Sequence, residues 1–372
     1  GIIDGVDAPS GGIGVPEWVY RETPFVEEAS MAEVTMIGLD LAKNTFQAHG
    51  ENADGSVAFR KKLRRNQVMA FFASQPRCTV AMEACASAHF WARSVQELGH
   101  EVRLVPPRYV KPFVKRQKND AADAEAIAEA ASRRTMRFVA IKSEAKQAQG
   151  MAFKTRDLLV RQRTQMINAL RGNLAEFGVI APKGKANLER LRAAVDDADT
   201  SLPGPVVALA QMTLTQIDEV TKRIDAIEHD IKQLARRQDS SKRVMKIPGV
   251  GPICATAVEA FAPPMESFTS GRDFAAWLGL TPRQHSTGGK ERLGKMSKMG
   301  QRDLRRLLIG GAMAVVRWAA KNGAPEGSWL ARMLQRKPRM VVAVALANKN
   351  ARIIWALLTQ GGVYKDPAVA AA

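Results

Sequence analysis

Four acidic residues stand where strands are expected to end or a helix to begin: Asp40, Glu83, Asp120 and Asp123. Asp40 closes the apolar run Thr35–Asp40, and Glu83 follows the run Cys78–Met82. Asp120 and Asp123, three apart, share one face of the helix predicted from about Asn119. Carboxylates gathered in this way repel one another unless a hard cation lies between them, and such oxygen ligands suit Mg2+. Two such ions, about 3.5–4 Å apart, clamp the attacking and leaving oxygens of a phosphodiester displacement. Any one of the four, taken alone, is more simply structural; Asp120, for example, is favoured by the dipole at a helix start. Together with the order of the strands, the set points to a metal site.

Two other stretches carry candidate chemistry. In Met245–Ala260, the turn Pro248-Gly249-Val250-Gly251 precedes a helix and leaves backbone N–H groups free for phosphate, as in helix-hairpin-helix elements, so Gly249 and Gly251 are candidate nucleic-acid contacts. In Thr281–Gly300 and just beyond it, Arg283, Lys290, Arg292, Lys295, Lys298, Arg302, Arg305 and Arg306 cluster against only Glu291 and Asp303. That density fits a phosphate backbone. Ser286, followed by Thr287, Gly288 and Gly289, is a serine that a phosphate could approach closely, and it would be a nucleophile if a base or metal activates it. Ser267, Ser270 and Ser297 have weaker surroundings. His285 is a neighbour in sequence and is expected to point elsewhere.

The elements that must position these groups can be read from periodicity. Strands are predicted at Thr35–Asp40, Thr45–His49, Ser56–Arg60, Cys78–Met82 and Glu101–Val105, with helices at about Gln67–Ser74 and Ala88–Leu98 and a last one from Asn119. The resulting order, βββαβαβα, is that of a ribonuclease-H-type sheet and helices. A polar helix is expected from about Ser143 to Phe177, and a second from about Pro205 to Arg237. In the second, Ile217, Ile224 and Ile231 alternate with Val220, Ile227 and Leu234 as a short heptad pattern, implying a coiled coil or an antiparallel hairpin. The segment between them, with Pro182, Gly184 and Pro203, reads as a connector. Further helices are predicted at Gln301–Lys321 and Pro338–Leu358. The domains expected are therefore a leader over 1–34 without regular structure, an α/β domain over 35–140, a helical connector over 141–240, a mostly helical domain over 241–360 and a tail over 361–372. Trp277, Trp318 and Trp355 are expected in the core.

The 372 residues carry 55 Lys plus Arg against 37 Asp plus Glu, a formal charge of +18. Such an excess calls for a polyanionic partner. A hydrophobic share of 46% and a charged share of 25% are those of a globular chain, which excludes wholesale disorder. Three cysteines without a CxxC pair exclude a disulfide framework and a structural zinc of that type, and fit a reducing cytoplasm. The longest apolar stretch, near Met340–Leu358, is broken by Asn348, Lys349, Asn350 and Arg352, so no membrane span is expected. The acidic start lacks the basic and apolar segments of a secretory signal.

GLDLAKNTFQ around Asp40, AMEACASAH around Glu83, KNDAADAEAIAEA around Asp120 and Asp123, IPGVG at Ile247–Gly251 and LGLTPRQHSTGGKERLGKMSKMGQRDLRRLL at Leu278–Leu308 occur in this order. Together they make the chain resemble the DEDD transposases of insertion-sequence family 110, most of all its 1111 subgroup, from about Thr35 to Leu358. The resemblance implies a RuvC-like domain and a C-terminal transposase domain joined by a coiled coil that supports dimers and tetramers. It implies recombination of donor and target DNA directed by a noncoding guide RNA. It also implies that Asp40, Glu83, Asp120 and Asp123 bind Mg2+ and that Ser286, at the STGG position, attacks DNA to form a phosphoserine link. The active site is then expected to be composite, with acids and serine from different protomers. A RuvC-like junction nuclease without serine chemistry and a catalytically silent nucleic-acid scaffold are the competing readings.

Overall fold

The computed structural model describes residues 34–114 and 120–365. The leader, except for its last residue, and most of the short tail lie outside the described residues. Two compact units are formed: one from the residues up to Glu83 with Ser94–Met136, the other from Ala84–Arg93 with the residues from Arg137 on.

The first unit holds strands β1 (Val34–Asp40), β2 (Thr45–Asn52) and β3 (Val57–Arg64), helix α1 (Val68–Ala73) and strand β4 (Thr79–Glu83). Helix α2 (Ala88–Glu97) is divided between the units; strand β5 (Glu101–Val105) and helices α3 (Pro107–Val110) and α4 (Asp120–Ser132) complete the first. The sheet order is β3-β2-β1-β4-β5. The first three strands form an antiparallel meander, whereas β4 and β5 run parallel to β1, so the sheet is mixed. Ile37, Leu39, Val80, Met82 and Leu104 are fully buried, as unbroken apolar runs in central strands demand. β3 runs past the expected Arg60 through Lys61, Lys62 and Arg64. Its main chain follows the ladder with β2, in which Leu63 pairs with Phe46, both of them buried, while the exposed lysines and arginines guard the sheet edge.

The second unit is mostly helical. α5 (Glu144–Ala175) and α7 (Gly204–Arg237) flank α6 (Leu188–Asp196). The Ser143 side chain accepts a hydrogen bond from the Lys146 N–H and caps α5. α5 and α7 are antiparallel: Arg156 donates to Glu228 at 2.9 Å, and one turn or two further along α5, Arg163 reaches Thr221. Ile217, Ile224 and Ile231 are buried, but Val220, Ile227 and Leu234 only half-buried, so the first apolar series makes the central seam. α6 was not anticipated in the connector; its Leu188, Leu191 and Val195 join Leu174, Leu202 and Leu214 in one cluster.

Beyond these come α8 (Asp239–Val244), α9 (Pro252–Phe261), α10 (Gly271–Trp277), a hairpin of β6 (Pro282–Gln284) and β7 (Leu293–Met296), then α11 (Arg302–Asn322), α12 (Trp329–Arg336) and α13 (Arg339–Thr359). Cys254, Ala257 and Val258 of α9, Leu304, Leu308 and Ala312 of α11, and Val342, Ala347 and Ile354 of α13 form the core. α13 is the described helix long and apolar enough to cross a bilayer by length and composition, and these buried residues make it a core helix of this unit. Trp277 and Trp355 pack against that core, but Trp318 is 62% exposed, contrary to expectation. The buried stripe of α11 runs through Leu304, Leu308, Ala312 and Val316, and Trp318 lies off it.

Candidate active site

Asp40 and Glu83 are the last residues of β1 and β4. These strands are parallel neighbours in the register Gly38 with Ala81 and Leu39 with Met82, so one further step sets Asp40 beside Glu83 at the carboxyl end of the sheet. Both are half-buried, as is Asp123 on α4. Burial pushes the Glu83 carboxyl above its ordinary range, and the negative charge of Asp123 adds to the effect. Three of the four predicted acids thus belong to one neighbourhood. Asp120 begins α4, and its side chain lies outside the described residues.

What brings α4 to the strand ends is Gly38, a residue whose role in the site was not foreseen. A Cβ there would overlap the Ala124 carbonyl oxygen and lie 3.0 Å from the Ala128 Cβ, so the helix backbone rests on β1 itself. Ala124 and Ala128, one turn apart and both buried, make the small-residue face of α4 that permits the approach. The available signal was a lone glycine inside an apolar strand, which often marks a close backbone contact.

These residues suit a hard divalent cation in chemistry: oxygen donors whose mutual repulsion a cation relieves. Among the described residues no three His, Cys, Asp or Glu side chains are gathered tightly enough to coordinate an ion by themselves. The half-buried, mutually repelling carboxylates of Glu83 and Asp123 are what an added positive charge would stabilise.

Ser286 lies on the β6–β7 hairpin and not in an irregular loop. Thr287 and Lys290 exchange both backbone hydrogen bonds across Gly288 and Gly289, whose φ values of +55° and +77° fit a two-residue type I′ turn. Ser286 is exposed one residue before this turn. His285 lies against Gly294 across the hairpin: a Cβ at Gly294 would come within 2.9 Å of its ring. Arg283, Lys290, Arg292, Lys295, Lys298 and Arg302 are all exposed, so this surface is densely cationic. Arg305 differs: it is 9% exposed, and its guanidinium donates to the carbonyls of Leu278 at 2.8 Å and Met299 at 3.3 Å. It fastens the base of the hairpin to α11 and does not face outward as a phosphate contact would. Desolvation, with the nearby Arg302 charge, lowers its pKa.

The predicted turn before α9 is present, with Val250 N–H bonded to the Ile247 carbonyl and Gly251 as the N-cap of α9. A Cβ at Gly249 would lie 2.8 Å from the Gly311 carbonyl oxygen, so the missing side chain at Gly249 serves packing against α11. Asn350 of α13 donates to the Pro248 carbonyl at 2.9 Å and holds the turn from the other side. Gly251 is exposed at the start of α9.

A sheet whose parallel strand ends carry acids, followed by a helical unit with an exposed basic hairpin, is the outline of a DNA-processing enzyme of the DEDD transposase class. A DEDD-type IS110 transposase profile matches residues 37–178, and the profile described as "Transposase IS116/IS110/IS902 family" matches residues 241–325. The chain is 49% identical to the "Probable family 20 transposase" of Pseudomonas aeruginosa, over 89% of this chain and 99% of that protein. It is 40% identical to the "Transposase for insertion sequence element IS1328" of Yersinia enterocolitica, over 90% and 99%. Identity to the "Transposase for insertion sequence element IS1111A" of Coxiella burnetii is 38%, over 90% and 93%. The chain belongs to the IS110 family of insertion-sequence transposases, and it is a DNA transposase. A DEDD-type domain implies use of a divalent metal.

Proposed function

We propose that this transposase is an RNA-guided, Mg2+-dependent recombinase that cuts and rejoins donor and target DNA through a phosphoserine intermediate on Ser286. The observation that carries the acid half is the placement of Asp40 and Glu83 on adjacent parallel strand ends, with the charge of Asp123 bearing on Glu83. In this reading Asp40, Glu83, Asp120 and Asp123 hold the metal, two ions of it. Once bound, such a cation neutralises phosphate oxygens and polarises the scissile ester. The chain's own residues do the rest. The Ser286 Oγ bonds to phosphorus as the ester bond to the departing strand breaks; the serine loses its proton, and the departing oxygen gains one to become a free hydroxyl. Attack by the hydroxyl of another strand reverses these changes, rejoins DNA and releases the serine. The exposed Arg283, Lys290, Arg292, Lys295, Lys298 and Arg302 neutralise the DNA backbone, and the exposed N-cap Gly251 offers a further contact for it.

The finer architecture is part of the same proposal: a RuvC-like metal domain over 35–140, a coiled-coil connector over 141–240 that pairs protomers into dimers and tetramers, and a serine-bearing domain over 241–360. The guide RNA rests on the family resemblance and on a net charge of +18 that the hairpin cations only partly supply. The site of action in this reading is the bacterial cytoplasm. The test uses the purified chain with its copurifying RNA, donor and target DNA and Mg2+. Wild type is expected to yield covalent protein–DNA adducts and Ser286→Ala none; adducts from Ser286→Ala at wild-type yield would sink the serine assignment. Recombination that survives complete removal of RNA would sink the guide.

A further inference from the structure

On the β6–β7 hairpin, the partners Gln284 with Leu293, His285 with Arg292 and Thr287 with Lys290 fall in one unbroken register. The residue opposite Ser286 is therefore Glu291. The pairs on either side of it are joined by backbone hydrogen bonds, so Ser286 and Glu291 form a non-hydrogen-bonded pair. In such a pair the side chains leave from the same face with Cβ atoms about 4.5–5.5 Å apart.

Alternation along the two strands sorts the charged groups. His285, Lys290 and Arg292 project to the other face, as the His285 ring against Gly294 shows directly. Ser286 shares its own face with Gln284, Glu291 and Leu293; beyond Leu293 the register shifts by one residue before Met296 pairs with Pro282, and the alternation ends there. Glu291 is the one charged residue on that face within the unbroken register.

The basic stretch contains two acids, and only one has a structural explanation. Asp303 sits in the first turn of α11, where its charge suits the helix dipole, and its N–H donates to the Gln301 side chain at 2.7 Å. Glu291 is exposed, and among the described residues neither an ion pair nor a side-chain hydrogen bond is found for it or for the Ser286 hydroxyl. A lone carboxylate in a surface built to attract phosphate weakens that attraction, so its position opposite the serine calls for a different role.

We propose that Glu291 is the general base for Ser286. The Ser286 hydroxyl proton passes to the Glu291 carboxylate as the Oγ–P bond forms; the ester bond to the departing DNA strand breaks, and that oxygen leaves with a proton supplied by water. In the rejoining step the protonated Glu291 returns its proton to Oγ as the serine is released. His285 is excluded by its direction.

This inference rests on the serine reading, and the test separates the two. Rates of adduct formation are measured in single turnover for the full chain with its copurifying RNA, DNA and Mg2+, comparing wild type, Ser286→Ala, Glu291→Gln and Glu291→Asp. DNA affinity is measured alongside by anisotropy. A general base contributes about 10²–10⁴-fold, so Glu291→Gln is expected to slow adduct formation by that order, with DNA affinity unchanged or tighter. Glu291→Asp, which keeps a carboxylate there, should restore part of the rate. Glu291→Gln at wild-type rate, with no adduct from Ser286→Ala, would overturn the base while leaving the serine in place. Adducts from Ser286→Ala at wild-type rate would overturn both.

Discussion

The acids and the serine are held in opposite ways. Asp40, Glu83 and Asp123 take their places from a buried framework: two parallel strands in fixed register and a helix lying directly on Gly38. Ser286 takes its place from an exposed ribbon kept in shape by cross-strand hydrogen bonds and a two-glycine turn. A rigid site tolerates unfavourable charge, as the raised pKa of Glu83 shows, because the surrounding fold supplies the stability. An exposed ribbon stores little of it, so its residues can be exchanged at little cost to the fold. Substitutions in the framework that holds the acids should therefore fail through folding, and those on the exposed face of the ribbon through function.

The largest effect is expected at Gly38. Gly38→Val drives a side chain into α4 and should cost about 1–3 kcal/mol or more, as overpacking does, while abolishing strand cleavage by displacing Asp123. Denaturant unfolding with a parallel cleavage assay checks it; a variant with wild-type stability and activity would break the comparison. Next comes the pair Arg305→Ala and Arg292→Ala. The first removes a buried guanidinium from two carbonyls and should cost about 2 kcal/mol. The second should stay within about 0.5 kcal/mol of wild type, yet weaken DNA binding and lower its salt slope by about one.

The smallest effect is a pH dependence. Since the folded-state pKa of Glu83 is raised from 4.5, the folded protein holds a proton that the unfolded chain has lost over the window just above that value. Stability from this group is thus fully present below the window and declines as pH rises through it. Glu83→Gln removes the decline. Without divalent metal the variant should equal wild type at low pH and exceed it near neutrality; parallel stability curves would contradict the assignment.

Much of the acid side was legible in the sequence because apolar runs bounded by Asp40 and Glu83 announce strands, and strand ends announce themselves. Gly38 was visible as a residue but not as a contact, since the partner backbone comes from Ala124 and Ala128, some ninety residues away. The serine side was harder to read. β6 and β7 bury almost nothing, so no alternation marks them, and the glycine pair reads equally as a loose loop. Counting charges also grouped Arg305 with its exposed neighbours, although it falls on the buried stripe of α11 next to Leu304 and Leu308. α6 was hidden by the Pro and Gly residues around it and shows its apolar face only against α5 and α7.

The central claim is that the sheet-end acids are built to receive a divalent cation. It is tested most directly by titrating Mg2+ or Mn2+ into wild type, Asp40→Asn and Asp123→Asn and following the melting temperature. A cation bound only by the folded state must raise it. The account predicts a saturable rise for wild type, little or none for either variant, and a higher metal-free melting temperature for Asp123→Asn than for wild type, because its repulsion of Glu83 is gone. An equal rise in all three proteins, or none in wild type, would contradict it.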